Sequence, residues 1–236
     1  MVSKTVFKTV GPPKPIYEIN SVTKKSGLRL YEVAENKWYP SITTITSHRK
    51  KDSIIKWRKR VGEKQATKIS TAAASRGNKF HSMVECYLKN EEVSFDETNP
   101  LATYLFQSSR EELNRINNIH LLESCLFSDY LRISGRVDCI AEFDGELSVI
   151  DFKTSTKPKK EIWIENYFVQ ETAYAVMYYE RCGVPINKIV TIVAVEDGTV
   201  QVFEKNPDHY YDLLRSYIDD FMLSLIHISE PTRRLC

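Results

Sequence analysis

Phe80, Met83, Val84, Tyr87 and Leu88 fall at the i, i+3, i+4, i+7, i+8 spacing of one helix face, which predicts a helix over roughly 72–89. Upstream, Asp52 is a plausible N-cap for a helix through about Ile69, with Ile54, Ile55, Val61 and Ile69 on its apolar side. Asn99-Pro100 reads as a cap followed by an N1 proline and opens a helix to about Asn117. The pattern then changes to apolar runs, and strands are predicted at about 119–128, 131–143 and 146–153. A long helix follows from about Glu161 to Arg181 and stops at Gly183. Strands at 188–195 and 199–204 flank Asp197-Gly198, a hairpin signal, and Asn206-Pro207 opens a last helix to about Leu223. Before residue 50 the pattern is weaker. Residues 1–15 read as an extended arm, because Gly11-Pro12-Pro13 and Pro15 block regular structure. Ile16 to Val33 reads as a short hairpin around Lys24-Lys25-Ser26-Gly27, and Pro40-Ser41 as the start of a short helix. From residue 72 the order is helix, helix, three strands, helix, two strands, helix. That order predicts an α/β fold with a mixed central β-sheet flanked by helices. The tail 224–236 matches nothing before it and reads as non-native read-through.

The turn Asp144-Gly145 is a strong two-residue hairpin signal. With that loop, Phe143 faces Glu146, Asp138 falls opposite Asp151, and Arg136 falls opposite Lys153. Side chains alternate along a strand, so Asp138, Asp151 and Lys153 share one face. The runs around them, Val137 to Ala141 and Ser148 to Phe152, are apolar enough to be buried on both faces. Acids placed there require a positive partner or a metal ion, whereas on residue types alone two surface acids and a surface lysine would be the ordinary reading.

Composition bounds the rest. The chain has 236 residues, 42% hydrophobic and 27% charged, enough for one well-buried domain with an added subdomain. No apolar run approaches the ~20 residues of a membrane span, and no targeting signal is evident, so a cytoplasmic protein is expected, in a bacterial host cytoplasm if phage-encoded. The five cysteines are scattered without a C-x-x-C, which argues for a reducing compartment and against a zinc or iron–sulfur site. Net charge is only +2, yet residues 1–80 carry 18 Lys/Arg against 5 Asp/Glu and the remainder 15 against 26. A basic front half points to a polyanionic partner.

Three further groupings bear on chemistry. Gly77, His81 and Glu85 share a helix face, and His81 could add a nitrogen ligand beside the aspartates; the bland alternative is a surface His81–Glu85 pair. Gln170 and Tyr174 share a face of the helix after the Asp151-Phe152-Lys153 strand, where both can hydrogen-bond a phosphate or a base; an ordinary helix contact is the alternative. The run from Arg49 to Arg60 holds Arg49, Lys50, Lys51, Lys56, Arg58, Lys59 and Arg60 with Trp57 among them, a track for phosphates with an aromatic for an unpaired base, or else a solvated helix face. Lys157, Lys159 and Lys160 could extend it, and Arg136 lies on the aspartate strand.

Together these motifs resemble the PD-(D/E)xK nuclease superfamily in its RecB-like branch, most closely its exonucleases, phage enzymes among them. The family order is a helix with a histidine, an aspartate strand, an Asp/Glu-x-Lys strand and a helix with Gln-x-x-x-Tyr. Here these are His81, Asp138, Asp151-Phe152-Lys153, and Gln170 with Tyr174. The likeness runs from about Tyr39 to about residue 200 and is closest from Gly135 to Lys159. It implies a restriction-endonuclease-like αβββαβ core over 72–223, preceded by a basic, DNA-contacting arm and helical subdomain over 1–71. It implies Mg²⁺ or Mn²⁺ held by His81, Asp138, Asp151 and the Phe152 carbonyl, Lys153 as the catalytic neighbour, and Gln170 and Tyr174 on the substrate strand. Glu85 is then a hydrogen-bond partner of His81 behind the metal or a contact to a second metal. The implied activity is hydrolysis at single-stranded DNA ends. A structure-specific or restriction-like endonuclease and a nucleic-acid-binding module without catalysis are the alternatives. The four-cysteine iron–sulfur cluster of some relatives is not expected, since only Cys182 and Cys236 follow the core. No helicase motif is present, so a helicase or replication partner would be a separate chain.

Overall fold

The computed structural model describes residues 5–95 and 99–229, with backbone alone for 226–229. Strands Ser21–Thr23 (β1), Arg29–Ala34 (β2) and Lys37–Pro40 (β3) form a small antiparallel sheet in chain order. Helix Ile42–His48 (α1) follows, capped by the Ser41 hydroxyl, which accepts from the Thr43 N–H. Then come Lys51–Val61 (α2), Glu63–Leu88 (α3) and Pro100–Leu113 (α4). The main sheet is built from Ile116–Ser128 (β4), Ile133–Phe143 (β5), Glu146–Ser155 (β6), Lys188–Val195 (β7) and Val200–Lys205 (β8). Helix Glu161–Cys182 (α5) links β6 to β7, and a 3₁₀ turn at Pro207–Tyr210 leads into Tyr211–Ser229 (α6).

The main-sheet strands lie side by side in chain order. Consecutive strands joined by short turns are antiparallel, whereas β6 and β7 are parallel because α5 crosses over between them. Each sheet face buries its own core. On one face Val137, Ile140, Val149 and Ile189 pack with Ile42, Ile45, Phe168, Tyr174, Leu214 and Ile218 from α1, α5 and α6. On the other, Cys139, Ile150, Phe152 and Ile192 pack with Phe80, Val84, Leu88, Leu105 and Phe106 from α3 and α4. The chain is thus an α/β fold with a mixed sheet between helical layers, as the element order predicts. The arm covers the β4 edge: Ile119 N–H donates to the Lys8 carbonyl at 2.7 Å, and Val10 N–H donates back to the Ile119 carbonyl at 2.8 Å.

The β5–β6 hairpin has the expected turn. Asp144 and Gly145 both take positive φ, 53° and 80°, as a two-residue loop matching strand twist requires. Pairing runs from Phe143↔Glu146 to Cys139↔Ile150. It ends one pair short of Asp138 and Asp151, and the expected pair Arg136 with Lys153 does not form. Arg136 belongs to the other neighbour, opposite Cys125 on β4.

Several expectations are corrected. The helix expected from Asp52 to Ile69 breaks at Gly62, and α3 runs unbroken from Glu63 across the boundary placed at residue 71. The N-cap is Lys50, not Asp52. Ile54, Ile55 and Ile69 are exposed, and α2 buries no residue. Strand β3 was not anticipated, being only four residues long. Helix α6 continues through residue 224 to Ser229; the remainder of the tail, 230–236, lies outside the described residues, as do 1–4 of the arm.

Gly135 on β5 sits where α5 presses closest. A Cβ there would lie 2.7 Å from Tyr174 Oη, 2.9 Å from Tyr174 Cε1 and 3.0 Å from Ile42 Cγ2. Tyr174 is buried and cannot swing aside. Gly135→Ala is therefore expected to lower unfolding stability by ~1–3 kcal/mol through overpacking. Denaturant titration measures this, and an unchanged midpoint would contradict it.

Candidate metal centre

Where the β5–β6 ladder stops, side chains take over from backbone. Asp138 Oδ2 accepts the Phe152 N–H at 3.0 Å, bridging the parted strands. On the other flank, β4 pairs with β5 through Leu122↔Cys139 and Ser124↔Val137, which puts Glu123 beside Asp138. Glu123 has φ 45°, a local irregularity in β4. Glu123, Asp138 and Asp151 thus lie on three adjacent strands. From the α3 side, His81 Nδ1 comes within 3.5 Å of Asp138 Oδ2 and 3.9 Å of Glu123 Oε1. The His81 ring packs edge-on to Phe152 at 6.4 Å. One donor atom from each of His81, Glu123 and Asp138 falls within a 4.8 Å group able to hold a metal ion.

Asp151 lies deeper, 2% exposed. Its Oδ1 accepts from Gln170 Nε2 at 3.1 Å. Its Oδ2 is ion-paired with Lys153 Nζ but has no hydrogen bond of acceptable geometry, so it retains capacity for a further cation. Burial pushes the Asp151 carboxyl up to about 6, against the pull of Lys153 and with the help of Asp138. Burial works against the charge on Lys153 too, but Asp151 and Asp138 outweigh it and raise its pKa. Burial also opposes protonation of His81, and Glu123, Asp138 and Asp151 overcome it, so the imidazole pKa is raised. The unsatisfied negative charge fits a divalent cation with oxygen donors and one nitrogen.

Several expected residues have different duties. Glu85 is ion-paired at 2.6 Å with Lys89, its i+4 partner. Tyr174 is 1% exposed and donates to the Arg136 carbonyl at 2.6 Å, so it braces β5 and is not open to a substrate strand. Gln170 is buried and orients Asp151. Arg136 donates to the Glu123 carbonyl at 2.8 Å. In the basic run, Arg49 ties α1 to α6 through Asp220 and Ser216, and Arg58 is held by Glu63 and Thr67, so neither extends outward. Lys51, Lys56, Lys59 and Arg60 are exposed on α2, with Trp57 half-buried. Lys50 donates to Asn166 Oδ1 at 2.6 Å. Lys157 and Lys160 are exposed beyond β6. The site residue the sequence reading missed is Glu123. Its place opposite Asp138 depends on the loop between Ser128 and Ile133, which is not a two-residue turn, so the β4–β5 register could not be counted back from it.

The family motifs thus keep their order along the chain, and the fold is that of a nuclease superfamily. The profile described as the PD-(D/E)XK nuclease superfamily matches residues 96–227, more than half the chain, and the chain belongs to that superfamily. His81 and α2 precede the matched span. Among curated proteins the chain is similar to mitochondrial genome maintenance exonuclease 1 of Mus musculus, 29% identical over 194 residues that make up 77% of this chain and 55% of that protein. The Homo sapiens protein of the same name is 27% identical over 174 residues, 68% of this chain and 50% of that one. The Xenopus tropicalis protein is 30% identical over 155 residues, 62% of this chain and 44% of that one. The chain spans about half the length of these relatives. Among the described residues no helix is long and apolar enough to cross a membrane.

Behind Asp151, Glu171 is fully buried. The Thr191 hydroxyl donates to its Oε1, while Oε2 has no partner. Burial, then the Asp151 charge, pushes this carboxyl well above its ordinary 4.5. The folded chain therefore keeps a proton that the unfolded chain releases above about pH 4.5, and stability falls as pH rises from there toward the folded pKa. Glutamine cannot titrate. In EDTA, the unfolding temperature of Glu171→Gln relative to the parent is expected to rise from pH 4.5 to pH 8; a difference independent of pH would contradict the buried neutral acid.

Proposed function

We propose that this chain is a metal-dependent deoxyribonuclease, an exonuclease that hydrolyses phosphodiester bonds at single-stranded DNA ends with Mg²⁺ or Mn²⁺. The observation that carries the reading is the buried Asp151–Lys153 pair set beside Asp138, Glu123 and His81, in a chain of the PD-(D/E)XK superfamily. The exonuclease assignment draws on the names of the relatives, and the single-stranded substrate on the exposed basic face of α2.

In this reading His81, Glu123, Asp138 and Asp151 hold the cation, with the Phe152 carbonyl as a further donor. When bound, the cation supplies Lewis-acid polarisation of the scissile phosphate and a more acidic water. Lys153 steadies the attacking water and the charge that grows on the phosphate oxygens. Gln170 fixes the Asp151 carboxylate, and Tyr174 fixes the strand that carries Asp138. The N-terminal region, with Lys51, Lys56, Lys59 and Arg60 on α2, leads DNA toward the nuclease core; Lys157, Lys159 and Lys160 continue the track past β6.

Digestion of 5′- and 3′-labelled single- and double-stranded oligonucleotides in Mg²⁺, Mn²⁺ or EDTA tests the reading. Mononucleotides or short products from linear single strands are expected with either metal and none in EDTA, with closed circular single strands left intact. Cleaved circles would replace the exonuclease by an endonuclease. Asp151→Asn or Lys153→Ala should reduce turnover at least about 100-fold while single-strand affinity stays near that of the parent. Undiminished cleavage by either purified variant would overturn the assignment.

A further inference from the structure

Helix α5 carries an aromatic face that leads out of the metal centre. Gln170 sits on Asp151. One turn back toward the N-terminus, the Tyr167 ring lies 5.3 Å from Lys153 Nζ and 5.7 Å from Lys50 Nζ, so one ring carries two lysines that would otherwise repel. Asn166 fixes the second of them through its 2.6 Å hydrogen bond from Lys50. One turn further out stands Trp163, 58% exposed although it is an indole on an ordered helix. Lys160 Nζ lies 5.4 Å from its ring, and Ile162 beside it is 73% exposed. Burial and then the nearby Lys159 ammonium depress the Lys50 pKa.

Resting on the nuclease reading, we infer that Trp163 is a base-stacking shelf for the single strand, one nucleotide outside the scissile phosphate, with the Lys50 ammonium on Tyr167 taking the backbone phosphate between shelf and metal centre. Four residues of helix separate Trp163 from Tyr167, about 6 Å along the axis, which is comparable with one nucleotide of extended backbone. Charge selects the occupant: Lys50 lies on the Tyr167 ring and Lys160 on Trp163, with Lys159 near Lys50, and a polyanion with flat apolar bases matches both features. A neutral protein partner would leave the lysines uncompensated. Lys160 over one region of the indole still leaves most of the side chain open to a base. Trp163 is a positioning residue in this account, and stacking tolerates any base, so it would set strand affinity and not sequence preference.

The test compares the parent, Trp163→Ala and Trp163→Phe on a single-stranded oligonucleotide and on the same oligonucleotide carrying successive single abasic sites near the end. Trp163→Ala is expected to raise KM about 10-fold with kcat changed less than about twofold, and Trp163→Phe to recover most of the loss. One abasic position should raise KM for the parent and have little further effect on Trp163→Ala. Binding of uncleaved strand in EDTA should quench indole fluorescence in the parent more than in Trp163→Ala. Equal KM for parent and Trp163→Ala on intact strands, or an abasic penalty of the same size in both, would overturn the shelf and leave the surface to another partner. Failure of the parent to degrade any strand would instead overturn the nuclease reading, so the two failures are distinguishable.

Discussion

The ion pair between Asp151 and Lys153 is the constraint on which the rest of this structure depends. A carboxylate that is almost wholly buried is costly, and removing the partner of such a buried pair typically costs ~3–5 kcal/mol. Lys153 only partly offsets the burial of Asp151, whose carboxyl remains pushed up to about 6. The adjacent Asp138 adds to the excess of negative charge. The arrangement of donors around these acids is what supports the metal-centre proposal.

The scaffold meets that constraint with rigid parts. Strand β6 is central, paired with β5 on one side and with β7 on the other, so Asp151 and Lys153 stand on well-anchored backbone. The ladder to β5 stops at Cys139↔Ile150, and the Asp138 carboxylate replaces the next backbone acceptor by binding the Phe152 N–H. That substitution fixes one acid without consuming its second oxygen. Gln170 and Tyr174 hold the opposite side, one on Asp151 and one on the Arg136 carbonyl, and Gly135 lets Tyr174 approach. A helix from the other face contributes His81. The centre is therefore assembled from both layers around the sheet.

Most of this was legible in the sequence, for identifiable reasons. The Asp144-Gly145 turn fixes the β5–β6 register as far as Cys139↔Ile150, one pair short of Asp138 and Asp151. The helical spacing of Phe80 to Leu88 locates the buried face of α3, and His81 goes with it. Register through a longer loop was not legible, so Glu123 was missed. The break at Gly62 was missed because Ile54, Ile55 and Ile69 imitate a continuous core face, although all three are exposed. The duties of Glu85, Arg49 and Tyr174 depend on which neighbour each side chain meets, and residue spacing does not encode that: Lys89, Asp220 and the Arg136 carbonyl claim them.

The most direct test of the account is anomalous diffraction from crystals soaked in Mn²⁺. The account predicts a peak within coordination distance of carboxylate oxygens from both Asp138 and Asp151, with His81 or Glu123 completing the shell. A peak bound elsewhere, or no peak at a concentration that supports strand cleavage, would contradict it.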